Sequence, residues 1–404
     1  MTINYTHPSQ FEPLLPQKRM EELLELAQAI TAVCLSLQSI LHKTTAETVA
    51  QLLRAMNSYY SNKIEGHSTH PVNIVRGLQK DFSQTPEIAQ LQRLALAHID
   101  AEVEIEAWVK NDPLFSPFTA EGICRIHAAL YRRLPVADRA IEQNRIVEPG
   151  LLRTADVSVG HHIPPSYKAI SAFLTRYEQV YADPSASLDK QLVKIACAHH
   201  RLAWIHPFLD GNGRVTRLAT HAALYQHFTS GLWSVCRGLA RTQKDYYLQL
   251  EGADEPRRGD LDGRGNLTEA GLADFCHYFL SVCFDQVNFM RKMLDLETIR
   301  QRISALLIYR NALDPQVRRE AELPLHYMFT AGALTRGEFK QMTGLGDKVA
   351  QKLLSHLLTV GLVESESRVG PVRFALPLSA LQFYFPDLYP EAATQLEENE
   401  KNNW

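Results

Sequence analysis

Apolar residues recur every three or four positions through most of this chain, and that spacing restricts it to a mainly α-helical fold. In 20–41, Leu23, Leu24, Ala27, Ile30 and Cys34 share one stripe. In 44–65 the stripe is Val49, Leu52, Leu53 and Met56, and Gly66 follows where a helix C-terminal glycine belongs. The same spacing predicts helices over 87–108, 168–181, 189–205, 212–228 and 268–296, and one after the cap residue Thr119 with Ile123, Ile126 and Leu130 inward. Before the C-terminal third, only 151–165 reads as extended. There Val157 and Val159 alternate with polar residues, and Gly160 and Pro164–Pro165 bound the run, which suits a short β-hairpin.

A chain of 404 residues exceeds one small domain. Punctuation by Asn111, Asp112, Pro113 and Pro117 suggests an N-terminal helical region over 1–115 and a core over 116–296. From 297 to 390 the texture changes: a short helix at 334–342, a turn at 344–346, a helix at 348–360, and alternation in 363–376 around Gly370–Pro371. That order resembles a winged helix-turn-helix domain. The tail 391–404 is acidic and polar, and is expected to fray.

A net charge of −3 gives no global attraction to nucleic acid or anionic membrane. The six cysteines form no C-x-x-C pair and sit in apolar helical stretches, which fits free thiols in a reducing compartment. Residues 1–19 lack an apolar signal core, and no run of 18 apolar residues occurs. The expected location is cytoplasmic, with no membrane partner.

One run carries chemistry: His206, Pro207, Phe208, Leu209, Asp210, Gly211, Asn212, Gly213, Arg214, Val215, Thr216 and Arg217. It is a loop entering a helix N-terminus. The glycines let backbone N–H groups converge on an anion, and the helix start adds its positive end. Arg214 and Arg217 fall on one face of the following helix. Asp210 suits Mg²⁺, which takes one or two carboxylates and completes its shell with phosphate and water. An imidazole near its free pKa, as at His206, can accept a hydroxyl proton. No P-loop sequence is present.

The run resembles the Fic family, whose core reads H-x-F-x-[DE]-G-N-G-R-x-x-R, with every specified position filled. The resemblance implies a helical core with a hairpin flap. It also implies a protein adenylyltransferase that moves AMP from ATP to a Ser, Thr or Tyr hydroxyl of a protein and releases pyrophosphate. His206 would be the base, Phe208 the loop anchor and Asp210 the metal ligand. Gly211, Asn212, Gly213, Arg214 and Arg217 would hold the phosphates, with Tyr246 and Tyr247 at the nucleoside. The target protein would pair along 151–165, and self-modification would follow the same chemistry. Asp254 stands where some relatives place an asparagine near the nucleotide. The same cradle would also serve another phosphate donor or the removal of AMP. A different reading is a DNA-binding regulator that only senses nucleotide, which an intact His206 disfavours.

Ser61, Glu65 and Gly66 match the family's inhibitory pattern, [ST]-x-x-x-E-[GN]. Glu65 would end a helix, where the macrodipole disfavours a carboxylate by a few tenths of a kcal/mol, so a cation from elsewhere is needed to offset it. The resemblance supplies Arg217 and places the pair at the γ-phosphate position, as in the N-terminally inhibited class. His199, on the stripe of Leu192, Ile195 and Leu202, reads as a core histidine, and His161–His162 as turn residues within reach of a substrate. Lys348, Lys352, His356, Arg368 and Arg373 make a modest basic patch, which leaves DNA and protein equally open as partners of the C-terminal region. A homodimer is likewise left open.

Overall fold

The computed structural model describes residues 5–38, 40–67, 69–141, 145–160 and 162–389. The described chain is helical apart from two small antiparallel pairs. In order, its elements begin with α1 (Met20–Gln38), α2 (Lys43–Ile64), α3 (Pro71–Leu78), α4 (Pro86–Asn111), α5 (Ala120–Tyr131), β1 (Ala140–Ile141) and β2 (Arg145–Ile146). They continue with α6 (Ile170–Tyr181), α7 (Leu188–Ile205), α8 (Asn212–His227), α9 (Cys236–Arg241), α10 (Gln243–Asp254) and α11 (Glu269–Met293). The last are α12 (Leu296–Leu313), α13 (Glu322–Ala331), α14 (Arg336–Met342), α15 (Asp347–Thr359), β3 (Val363–Glu364), β4 (Arg373–Phe374) and α16 (Leu381–Tyr384).

The centre is the α7–α8 pair. Nearly every residue of α7 from Gln191 to Ile205 is buried, because α1, α6, α8 and α11 pack around it. A helix covered on all sides cannot be amphipathic, and its polar members must find partners inside. His199 does so through Thr220 Oγ1 at 2.7 Å and the Tyr246 hydroxyl at 2.8 Å, as expected of a core histidine. On the opposite side α2 packs against α4 and α9, and its C-terminus points at the start of α8.

Capping sets the ends that matter. The His42 ring accepts from the Thr44 N–H and starts α2. Gly66, at φ +78°, ends it with the His67 N–H returning to the Asn62 carbonyl at 2.9 Å. Thr119 caps α5 by accepting from the Gly122 N–H.

Three expectations change. The segment 151–165 is not a paired hairpin: its described residues hold a single antiparallel bridge, Val159 with His162. The hydrogen bonds of a ladder are replaced there by Arg153, as described below. Helix α3, the β1–β2 pair and α10 were not foreseen. The C-terminal order is α14, turn, α15, then β3 paired with β4 through Val363–Phe374 and Glu364–Arg373. The tail from 390 and His161 lie outside the described residues.

Candidate active site

The loop from His206 to Gly211 is shaped by two left-handed residues. His206, at φ 50° and ψ 59°, ends α7, and Gly211, at φ +78°, precedes α8. Glycine is required at 211 twice over, by that φ and because a Cβ there would meet the Tyr131 hydroxyl at 2.5 Å. Inside the loop Phe208 is fully buried and stacks on His127 with ring centroids 4.0 Å apart. Asn212 clips the turn shut. Its Oδ1 accepts from the Phe208 N–H at 2.8 Å and its Nδ2 donates to the Phe208 carbonyl at 2.9 Å. The Asn212 side chain therefore shapes the loop, and only its backbone N–H remains for an anion.

The N–H groups of Asn212, Gly213 and Arg214 open the first turn of α8, where no intrahelical acceptor exists. The Glu65 carboxylate lies over Gly213, so close that a Cβ there would collide with Oε1. Arg217 Nη2 donates to Glu65 Oε1 at 2.6 Å. The same guanidinium is fixed from behind, Nε to Ser61 Oγ and Nη2 to the Ser61 carbonyl, both at 2.9 Å. Burial opposes charge on Glu65, but Arg217 and Arg214 outweigh it and hold the carboxyl below its usual range. A carboxylate disfavoured by the end of α2 is thus stabilised by the start of α8.

Asp210 accepts from the Tyr131 O–H at 2.5 Å and from Arg214 Nη2 at 3.0 Å, both on Oδ2. Burial opposes its charge, and Arg214 and the Tyr131 hydroxyl more than compensate, so the carboxyl sits below its ordinary range. Its side chain stays 41% exposed, which leaves a fixed carboxylate beside the glycine turn. One such carboxylate, facing the place where an anion would lie, fits the sparse protein ligation of Mg²⁺.

His206 departs from a freely titrating imidazole. Burial, with His162 and Arg153 nearby, pushes its pKa down to about 4, and the ring hydrogen-bonds the Ala203 carbonyl. The imidazole is neutral at neutral pH, with one nitrogen tied and a lone pair on the other. It lines a solvent-open cleft of about 330 Å³ with Glu65, Gly213, Arg217, Tyr246 and Tyr247. Tyr247 donates to the Ile64 carbonyl at 2.8 Å, and Tyr246 is buried beneath it.

Residues 117–224 match the Fic/DOC family. That match takes in the loop 206–217, the helices α5 to α7 around it and most of α8. It is similar to a protein adenylyltransferase Fic of Drosophila erecta, 29% identical over 52% of this chain and 39% of that relative. It is also similar to a protein adenylyltransferase Fic of Aedes aegypti, 28% identical over 55% and 41%. The chain therefore spans about two-fifths of the length of the curated relatives it matches. Among solved structures, a Fic family protein from Desulfovibrio desulfuricans G20 aligns over 90% of this chain and 98% of its own, with a TM-score of 0.51 and 17% identity. A Fic domain containing signaling protein from Bacteroides thetaiotaomicron aligns over 66% and 95%, with a TM-score of 0.51 and 18% identity.

Arg153, Tyr131 and His127, which the sequence did not single out, also shape the site, and Asp254, a candidate from the sequence, has a structural role. Arg153, its side chain fully buried, donates to the carbonyls of His206 at 2.9 Å, Ala155 at 2.9 Å and Pro165. It ties both ends of 151–165 to the site loop. Tyr131 and His127 stack at 4.5 Å and join Asp210 to Phe208. Asp254 bridges His200 Nε2 at 3.1 Å and His162 Nδ1 at 3.3 Å, so the turn at 159–162 is held to α7 and α10. Arg153, Tyr131 and His127 have no motif. Their only trace in the sequence is polar or aromatic residues in otherwise apolar helical company.

Proposed function

We propose that this chain transfers AMP from ATP to a hydroxyl of a protein and is held inactive by Glu65. The observation that carries this reading is convergence: the His206 ring, the N-terminus of α8 and Arg217 face one cleft, and Glu65 fills the anion position between them.

In the reaction, the free nitrogen of His206 accepts the proton of the target hydroxyl as its oxygen bonds to the α-phosphorus. The bond from that phosphorus to pyrophosphate breaks. The N–H groups of Asn212, Gly213 and Arg214, with the guanidiniums of Arg214 and Arg217, stabilise the developing negative charge. Mg²⁺ held by Asp210 would neutralise charge on the phosphates. Arg153 holds 151–165 beside His206, where an extended target segment would lie. Tyr246 and Tyr247 line the side of the cleft suited to a nucleoside.

Glu65 and a terminal phosphate are alternatives for the same partners. With Glu65 in place, Arg217 is committed, and a triphosphate cannot settle with its α-phosphorus next to His206. The names of the curated relatives support adenylyl transfer. The test is mass spectrometry of the purified chain and candidate targets after incubation with ATP and Mg²⁺, looking for an AMP adduct.

The C-terminal elements α14, α15 and β3–β4 suit a winged-helix module. His356 is paired with Asp314 at 2.6 Å, and Arg373 with Glu364 at 2.8 Å and Glu366 at 3.0 Å. Those acids neutralise part of the basic patch and favour protein docking over DNA.

A further inference from the structure

Away from the cleft, three helices bring a second set of chemistry-bearing side chains together in the interior. Glu102 and Glu106 share one face of α4, and His221 lies on α8 one turn beyond Arg217. His221 Nε2 is 3.1 Å from Glu106 Oε1 and 3.6 Å from Glu102 Oε1. One donor atom from each of the three lies within 4.8 Å of the others. A tetrahedral zinc shell with bonds of about 2.0 Å spaces its donors roughly 3.3 Å apart, so the cluster is already close to coordinating dimensions.

A separate observation points to an ion. His98, one turn before Glu102 on the same face, is 1% exposed, and neither ring nitrogen has a hydrogen-bond partner among the described residues. Its Nδ1 approaches Glu102 Oε2 at 3.8 Å. Buried imidazoles ordinarily satisfy at least one nitrogen.

We propose that Glu102, Glu106 and His221 form a structural Zn²⁺ site, with the unpartnered His98 ring beside Glu102 as the nearest further donor. Imidazole and carboxylate are ligand types that zinc takes, and Glu102 carries a charge that no arginine or lysine side chain hydrogen-bonds among the described residues. Arg54, the cation that would oppose the ion, is engaged by Glu106, with Nη2 on Oε2 at 2.7 Å and Nε on Oε1 at 3.3 Å. Asn57 Nδ2 donates to Glu102 Oε1 at 2.8 Å. Such outer contacts orient carboxylate ligands. Arg54 and Asn57 belong to α2, so the filled site ties α2, α4 and α8 together. Arg54 also lines an open groove with Lys110 and Tyr225.

The test uses the full chain, stripped with a chelator and then titrated with Zn²⁺ in a calorimeter, with metal analysis after gel filtration. One equivalent should be retained and the melting temperature should rise. Glu102→Gln, which keeps shape, and His221→Gln should each weaken Zn²⁺ binding at least tenfold, while Asp347→Ala, exposed and outside both sites, should bind as the parent does. Co²⁺ in place of Zn²⁺ should give the visible absorption of a tetrahedral ion. That spectrum needs only the parent chain and decides the matter even if a variant fails to fold. Absence of a retained equivalent, absence of the tetrahedral band, or unchanged affinity in a folded Glu102→Gln chain would overturn the proposal. None of these readouts involves nucleotide transfer.

Discussion

Arg217 Nη2 donates to Glu65 Oε1 at 2.6 Å, joining the last turn of α2 to the first turns of α8. Glu65 is an anion seated at a helix N-terminus, where phosphate would otherwise sit, and it resides on a helix whose own dipole disfavours it. The first prediction follows. Glu65→Gly should raise AMP transfer, including onto the chain itself. A charge-assisted pair worth about 1.4–2.8 kcal/mol in this partly buried setting corresponds to roughly tenfold to a hundredfold. Glu65→Gly combined with Arg217→Ala should stay weak, because Arg217 is also the phosphate's partner. Labelled-ATP transfer at equal protein concentration, with folding checked by melting, decides it. Equal rates for the parent and Glu65→Gly would show that α2 merely ends there.

Asp210→Ala should lose metal-dependent ATP binding while the fold survives. Tyr131 O–H and Arg214 then lose an exposed-side acceptor and no core packing. Calorimetry in the Glu65→Gly background, with and without Mg²⁺, reads it. Parent-like affinity that still depends on Mg²⁺ would remove Asp210 from the metal.

Arg153→Ala should unmoor 151–165. Three carbonyls lose their donor, at about 1 kcal/mol each. In the Glu65→Gly background, transfer to a protein target should fall at least tenfold, while ATP affinity stays within about twofold. Loss of ATP binding in parallel would assign Arg153 to the loop as a whole instead of to the target side.

The pH profile is fixed by His206, whose pKa is lowered to about 4, first by burial and then by His162 and Arg153. A base must be neutral, and a depressed pKa keeps it neutral further into acid. Glu65 raises that pKa, so removing Glu65 does not lift it. Transfer by Glu65→Gly should therefore hold level from pH 8 to about 5.5 and fall only as pH approaches 4. A midpoint near the free value of about 6.5 would mean that the ring is solvated in the working enzyme.

Much of this was legible because the signals were local. Eight of the larger helices announced themselves through stripes such as Leu23, Ala27 and Ile30, and the loop from His206 to Arg217 through glycines at fixed spacing. Helix α3 was not, because eight residues from Pro71 to Leu78 give too short a window for periodicity. The segment 151–165 alternated like a strand, yet strands need a ladder, and here Arg153 supplies the donors from a side chain. His127 and Tyr131, at i and i+4 on α5, belong to no motif. Only their distance to Asp210 and Phe208, far along the chain, reveals what they hold. The Glu65–Arg217 pair was anticipated through the family pattern. What the sequence could not supply is that the carboxylate rests on Gly213 itself, at the anion position of α8.

The central claim is that His206 in this cleft takes the hydroxyl proton during AMP transfer. Its most direct test compares Glu65→Gly with Glu65→Gly/His206→Ala, incubated with ATP and Mg²⁺, by intact-protein mass spectrometry and ATP calorimetry. The account predicts an AMP adduct on the first chain, a loss of at least a hundredfold in its rate on the second, and ATP affinity unchanged between them. An adduct forming at equal rates on both chains, or on neither, would contradict it.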